Sequence, residues 1–246
     1  MSPVKLKYAI SQFFCAITGV NTKNTYAKVK VKNIGDHKKV LFIYKQADGN
    51  WKSEPLALEA TYPGYEIYAT KNIPVTEEFA IKYTVDDIDH WDNNNGSNYH
   101  LLANRVNNVI GENVVLHKAT AKTDPNDNFA LANQTFWLEG EIYVRRKICY
   151  HKKVGIKISA DNGITWQEID AGYEYPVSEG SYIDVALGEL EVELWKFKTP
   201  TYNYNPASDS FKFAVYCQNL ETGAWYWDNN FGQDYQISKK NDSTIE

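Results

Sequence analysis

The chain has 246 residues, a net charge of -5 and a composition that is 43% hydrophobic and 14% aromatic. That length suits one large domain or two of about 120 residues, and a pI near 5.6 with scattered Lys and Arg excludes the basic field a polyanion needs. With 18 Tyr and 7 Trp against one Met, ring residues exceed what two small cores would use, so some are expected on the surface.

Val4-Lys5-Leu6-Lys7-Tyr8-Ala9 reads as a first strand. Lys5 and Lys7 ahead of the apolar stretch Ala9 to Val20 mimic a cleavable leader, yet Val114-Val115-Leu116-His117-Lys118-Ala119 repeats the pattern in mid-chain, where nothing is cleaved. No apolar run approaches the ~20 residues that cross a bilayer. Further strands are predicted at Lys28–Lys32, which alternates polar and β-branched residues, at Lys39–Tyr44 and at Phe79–Tyr83. Turn clusters separate them: Asn33 to Asp36, Asp48-Gly49-Asn50, Pro63-Gly64 and Asp86 to Asp89. No segment keeps a helical period, so a β-sandwich or Greek-key barrel is expected.

The first half closes on Trp91-Asp92-Asn93-Asn94-Asn95-Gly96-Ser97-Asn98-Tyr99, and the second on Trp227-Asp228-Asn229-Asn230-Phe231-Gly232-Gln233-Asp234-Tyr235. Such Asp/Asn/Gly runs favour turns, so each is read as a surface loop flanked by rings. The order of the first half returns in the second: His151-Lys152-Lys153-Val154 matches His37-Lys38-Lys39-Val40, and Asp161 to Trp166 matches Asp48 to Trp51. Two tandem domains are therefore expected, 1–106 and 107–246, divided at the amide-rich stretch Asn104 to Asn108. Glu189 to Pro206 finds no partner in the first half and is expected to be a surface loop.

The catalytic inventory is thin. His37, His90, His100, His117 and His151 form no ligand spacing and are read as surface residues. Cys15, Cys149 and Cys217 have no motif spacing and are read as reduced, small core residues. There is no Gly-x-Ser-x-Gly, no phosphate-binding glycine loop and no calcium loop with a closing acid. Glu77-Glu78 and Asp86-Asp87-Asp89 do not recur as pairs in the second half, which argues against glycoside hydrolysis. A non-enzymatic protein with no metal, cofactor, nucleic-acid or membrane partner is expected.

Gly/Ala-x-Val-x-Val-x-Asn, Lys-Lys-Val, Asp-Gly-x-Trp, Phe-Ala-Ile-x-Tyr and Trp-Asp-Asn-Asn-x-Gly-x-Asn-Tyr together resemble carbohydrate-binding module family 21, once per half. The resemblance implies an all-β chain of two immunoglobulin-like antiparallel sandwiches that bind α-1,4-glucans (starch, glycogen, maltooligosaccharides) without cutting them. It places Trp51 and Trp91, and Trp166 and Trp227, on sugar faces. Lys82, Asn93, Asn94, Asn98, Asn229 and Asn230 would bond sugar hydroxyls. Ala80 and Ala214 replace one aromatic of that surface. A second family surface is reduced in the first domain by Asp36, leaving Tyr62 and Tyr65, and would be formed in the second by Tyr150, Tyr173 and Tyr182.

The residue chemistry agrees, since a pyranose offers C–H groups to a ring face and hydroxyls to neutral amides. Tyr99 and Tyr235 are expected to pack back on the sandwich, and Asp92 and Asp228 to brace the loop through backbone N–H groups. Two other readings follow from the resemblance: a glycogen-targeting subunit of protein phosphatase 1, or the appended region of an amylolytic enzyme, each with that partner. Lys39-Val40-Leu41-Phe42 matches a Lys-Val-x-Phe docking pattern but falls in a predicted interior strand. Reduced thiols and no obvious leader suggest the cytoplasm.

Overall fold

An extended chain turns successive side chains to opposite faces, so alternation in the sequence becomes a buried and an open face in the sheet. Lys38–Lys45 follows this rule, with Val40, Phe42 and Tyr44 buried and the residues between them more open. The computed structural model describes residues 2–15, 21–71, 73–102, 107–124, 134–176, 191–203, 205, 208–239 and 242–246. Among these the chain is all-β apart from single 3₁₀ turns, its paired strands are antiparallel, and it divides into two units chiefly between Glu112 and Asn113, with Pro176 and Val192 counted to the first.

The first unit holds β1 (Val4–Cys15), β2 (Asn21–Lys32), β3 (Lys38–Lys45), β4 (Trp51–Pro55), β5 (Ala57–Tyr62), β6 (Tyr65–Ala69), β7 (Ile73–Pro74), β8 (Glu78–Val85), β9 (Ile88–Asp92), β10 (Tyr99–His100) and β11 (Asn108–Val109). One sheet runs β11-β1-β2-β6-β5 with β7 also on β2, and the other β10-β8-β3-β4 with β9 also on β8. Leu6, Val29 and Val31 of the first sheet join Phe42, Phe79, Tyr83 and Tyr99 of the second in one buried cluster. Phe79 stacks at once on Phe42 (4.7 Å) and on Tyr99 (5.3 Å).

The second unit holds β12 (Val114–Thr123), β13 (Thr135–Arg145), β14 (Lys152–Ser159), β15 (Gln167–Asp170), β16 (Gly172–Pro176), β17 (Val192–Lys198), β18 (Tyr202–Asn203), β19 (Ser210–Asn219), β20 (Trp225–Asp228), β21 (Tyr235–Ser238) and β22 (Thr244–Ile245). Its sheets run β16-β17-β13-β12-β22 with β18 on β13, and β15-β14-β19-β20 with β21 on β19, the same order of pairing as in the first unit.

Three expectations change. Residues 107–112 lie with the first unit, because Asn108–Val109 pairs with Ala9 and Ile10. Val192–Lys198 is no surface loop but an interior strand whose Val192, Leu194 and Phe197 are buried; their spacing of two and then three residues breaks the alternation a sequence would show. Cys217 is buried in the core, but Cys149 is half-exposed, and its Sγ donates to the His151 carbonyl at 3.3 Å. The side chain of Cys15 lies outside the described residues.

Each unit is tied by one carboxylate. A bulge between Leu6 and Tyr8 interrupts the β1–β2 ladder, and one between Leu116 and Lys118 interrupts β12–β13. The Leu6 amide instead donates to Asp92 Oδ2 at 2.6 Å, and the Leu116 amide to Asp228 Oδ2 at 3.0 Å. The same carboxylates accept the hydroxyls of Tyr99 and Tyr235, each at 2.6 Å. Burial pushes the Asp92 carboxyl above its ordinary range, against the pull of Tyr99 and the Leu6 amide. Asp228 is 1% exposed and also accepts the Asn230 amide at 3.4 Å, so Asp228→Ala removes the acceptor of three donors and is expected to cost about 3 kcal/mol, against about 1 for Tyr235→Phe. Urea unfolding of the two variants measures both; equal losses would mean that the carboxylate serves the hydroxyl alone.

Candidate functional site

The candidate site is built on the outer face of the β15-β14-β19-β20 sheet. Residue alternation on β20 points Trp225 and Trp227 the same way, and they stack with ring centroids 5.6 Å apart and planes 11° from parallel. They are 40% and 39% exposed. Beneath them Tyr216 is fully buried, 5.3 Å from the Trp225 ring and 5.4 Å from the Trp227 ring. The Tyr216 hydroxyl crosses β14 to donate to Asp170 Oδ1 at 3.1 Å. It crosses at Gly155, where a Cβ would stand 2.8 Å from that hydroxyl oxygen. Burial pushes the Tyr216 phenol up to about 12, so it stays a neutral donor. Lys153 lies 5.7 Å over the same ring, paired with Glu168 at 2.9 Å.

In the first unit the register places Lys82 opposite Trp91, where the second unit has Tyr216 opposite Trp227. The Lys82 ammonium sits 5.6 Å over the Trp91 ring and 2.7 Å from Asp89, whose carboxyl it holds below the ordinary range. Trp51 and Trp91 are 48% and 47% exposed. They do not share one spot. Trp51 is opposite Lys45, while Trp91 is opposite Lys82, itself opposite Leu41. Three strand spacings and four residues separate them, about 19 Å between backbones. Trp166 stands in the same relation to Trp227, four residues before Asp170, across β14 and β19.

The loop amides bond groups of the loop and of β8. Asn93 Oδ1 accepts the Gly96 amide at 3.0 Å, Asn94 donates to the Asn98 carbonyl at 3.0 Å, and Asn98 donates to Glu78 at 2.8 Å. Asn98, ahead of Lys45, holds the Glu78 carboxyl below its ordinary range. Asn94, Asn95 and Asn98 take left-handed φ of 51°, 57° and 55°, which Asn tolerates better than most residues. In the second loop Asn229 accepts the Gly232 amide at 3.0 Å, and Asn230 donates to the Asp234 carbonyl at 3.1 Å. Asn230 is 2% exposed, which corrects its expected place on the ligand surface: the loop folds over its amide.

Tyr65 is likewise corrected. It is 1% exposed in β6, covered on one side by Tyr62 at 5.0 Å, while Tyr62 itself is half-buried. Tyr150 is 88% exposed, and Tyr173 is exposed with its ring edge-on to Trp195 at 5.5 Å. Tyr182 lies outside the described residues. Trp225 was not expected; Trp-Tyr-Trp alternation at 225–227 is the signal that marks it. Among the described residues no group of His, Cys, Asp and Glu is placed to hold a metal ion, and no helix is long and apolar enough to cross a membrane.

A model of the carbohydrate/starch-binding module of family 21 matches residues 111–238. The chain belongs to that family. Glucoamylase 1 of Rhizopus oryzae is 34% identical over 85 residues, 32% of this chain and 14% of that protein. The chain thus spans about one-seventh of this relative's length. Two solved structures are similar at lower levels. The starch-binding domain of Rhizopus oryzae glucoamylase, in complex with β-cyclodextrin and maltoheptaose, is 24% identical, with a TM-score of 0.32 over 42% of this chain and 94% of that one. A pullulanase from Anoxybacillus sp. LM18-11 complexed with maltotriose is 11% identical, with a TM-score of 0.20 over 83% of this chain and 24% of that one.

Within the matched span, the loop that carries Trp166 into this family 21 module is organised by Asp161. Its carboxylate accepts the Thr165 hydroxyl (2.6 Å), the Thr165 amide (2.8 Å), the Ile164 amide (3.1 Å) and the Ser159 hydroxyl (2.7 Å). These donors, Thr165 first, lower its pKa from 3.8 to about 2. A carboxyl depressed on folding stabilises the loop fully above its unfolded pKa and loses that contribution as pH falls through its folded value. The Thr165 amide resonance is therefore expected to titrate with a midpoint near 2; a midpoint at 3.8 would show the contacts absent in solution.

Proposed function

We propose that the chain is a non-catalytic α-glucan-binding protein made of two tandem family 21 modules of immunoglobulin-like form, one per unit. In the second module Trp227, Trp225 and Trp166 stack on glucose faces, with Asn229 at the rim and Tyr150 and Tyr173 forming a second surface. In the first module Trp51 and Trp91 stack, with Lys82, Asn93, Asn94 and Asn98 along the edge and Tyr62 beside a second surface. The observation that carries this reading is the Trp225/Trp227 pair. Two parallel indoles, each about two-fifths exposed on a sheet of a starch-binding family, present flat apolar faces that a pyranose ring fits and a core has no use for.

Polar groups next to these rings are mostly neutral or already paired, which suits an uncharged polymer. Two modules on one chain raise the apparent affinity for any polymer that both can reach. The partial match to a glucoamylase supports a second reading, the appended binding region of an amylolytic enzyme. The phosphatase-targeting reading has less support: Val40 and Phe42 of the Lys-Val-x-Phe pattern are 2% and 0% exposed within β3.

Affinity electrophoresis in glycogen-containing gels tests the proposal. Loss of one stacking indole removes about 1–2 kcal/mol, so Trp227→Ala and Trp225→Ala are each expected to weaken retention about 5- to 30-fold with little change in melting temperature. Retention that survives both substitutions would sink the assignment, and release of reducing sugar from glycogen would sink the non-catalytic reading.

A further inference from the structure

One buried cation of the second unit has no place on the ring surface, yet its bonds lead there. β14 ends at Ser159, and residues 160–165 carry the chain to Trp166, just ahead of β15. The Asp161 carboxylate holds the inside of this loop through the Ile164 and Thr165 amides, and the Trp166 indole N–H donates to the Gly163 carbonyl at 3.2 Å. Those bonds lie within the loop, so its attachment to the sheet is left to its two ends. At one end Gln167 pairs with Ile158. At the other, the Lys239 ammonium donates to the Ala160 carbonyl at 2.7 Å and to the Ser208 carbonyl at 2.9 Å, joining the start of the loop to the segment that leads into β19.

Lys239 has little freedom of its own. Its backbone amide donates to the Asp209 carbonyl at 2.8 Å, and its side chain, 2% exposed, lies 5.1 Å over the Phe211 ring. Burial lowers its pKa, against the pull of Asp209 and Asp161. A cation in such a place carries a desolvation cost that its bonds must offset, and a hydrocarbon of the same length fills the space without that cost. What a hydrocarbon cannot supply is direction, a donor aimed at each of two segments. The first unit makes this link with a neutral group. There the Thr76 hydroxyl lies 2.9 Å from the Lys45 carbonyl, at the end of β3, and 3.0 Å from the Glu78 carbonyl at the start of β8. Ser208, two residues before Phe211's neighbour Ser210 as Thr76 is before Glu78, donates its hydroxyl to the Ser210 carbonyl at 3.1 Å, and the reach to β14 passes to Lys239. That lysine stands one residue beyond the span 111–238 matched by the family model.

We propose that Lys239 is a positioning residue for Trp166: by holding Ala160 against Ser208 it fixes the loop on which that indole, 38% exposed, is presented to ligand. The inference rests on the α-glucan reading given above. Lys239 touches no sugar; it removes the need to order the loop when a sugar arrives.

Fluorine NMR of the full chain labelled with fluorotryptophan and titrated with maltoheptaose tests it, because each indole reports its own occupancy. Lys239→Met keeps the length and the apolar fill but neither donor. It is expected to move the Trp166 resonance in the free protein and to raise the maltoheptaose needed to half-saturate it about 5-fold, while Trp225 and Trp227 stay within about 2-fold. Lys239→Gln retains one donating group and is expected to fall between. Half-saturation of Trp166 unchanged in both variants, equal losses at all three indoles, or a chain that no longer folds in either variant overturns the positioning role. A Trp166 resonance that ignores maltoheptaose in the unsubstituted chain while Trp225 and Trp227 respond overturns it as well. If none of the indoles responds, the α-glucan reading itself fails.

Discussion

Each unit depends on a carboxylate that closes it from strand to loop. The bulge in the first strand frees one amide from the ladder, and Asp92 or Asp228 captures it together with a tyrosine hydroxyl seven residues further along. A charged acceptor of two short bonds in a nearly dry place is strong while satisfied and costly when broken. Because that Asp directly follows the exposed Trp91 or Trp227, the bond that closes the sandwich also holds the indole at the surface.

The loop that follows is a self-contained turn more than a set of polar hands. Asn93 and Asn229 cap it, Asn94 and Asn230 tie its far side, and left-handed residues let it fold tightly. What is left for a ligand is mainly ring surface. The two units differ there: Lys82 with Asp89 gives the first an ionic edge beside Trp91, while in the second the tilted Tyr216 ring lies against Trp227.

The alternation in Lys28–Lys32, Lys39–Tyr44 and Phe79–Tyr83 made the all-β class legible, and the exposure of Trp51, Trp91, Trp166 and Trp227 followed from rings placed beside turn residues. Val192–Lys198 escaped because its buried Val192, Leu194 and Phe197 are spaced two and then three residues apart and Glu193 is buried among them, so its apolar content did not read as a one-sided strand. Asn230 and Tyr65 escaped for the opposite reason. An amide or a phenol looks available in a sequence, whereas burial depends on how strands separated along the chain come together. Trp225 was visible as alternation but carried no repeat, since Asp89 holds its register position in the first unit.

Gly155 ties the shape of the indole pair to a missing atom. The phenol passes over β14 only because nothing projects from that residue, and an added methyl would meet both the phenol's oxygen and the Ile169 carbonyl. The seating of the indole pair is thus inherited from a hollow two strands away in the same sheet. Any lineage that fills the hollow must tilt the ring, and with it the pitch at which both indoles meet whatever lies across them.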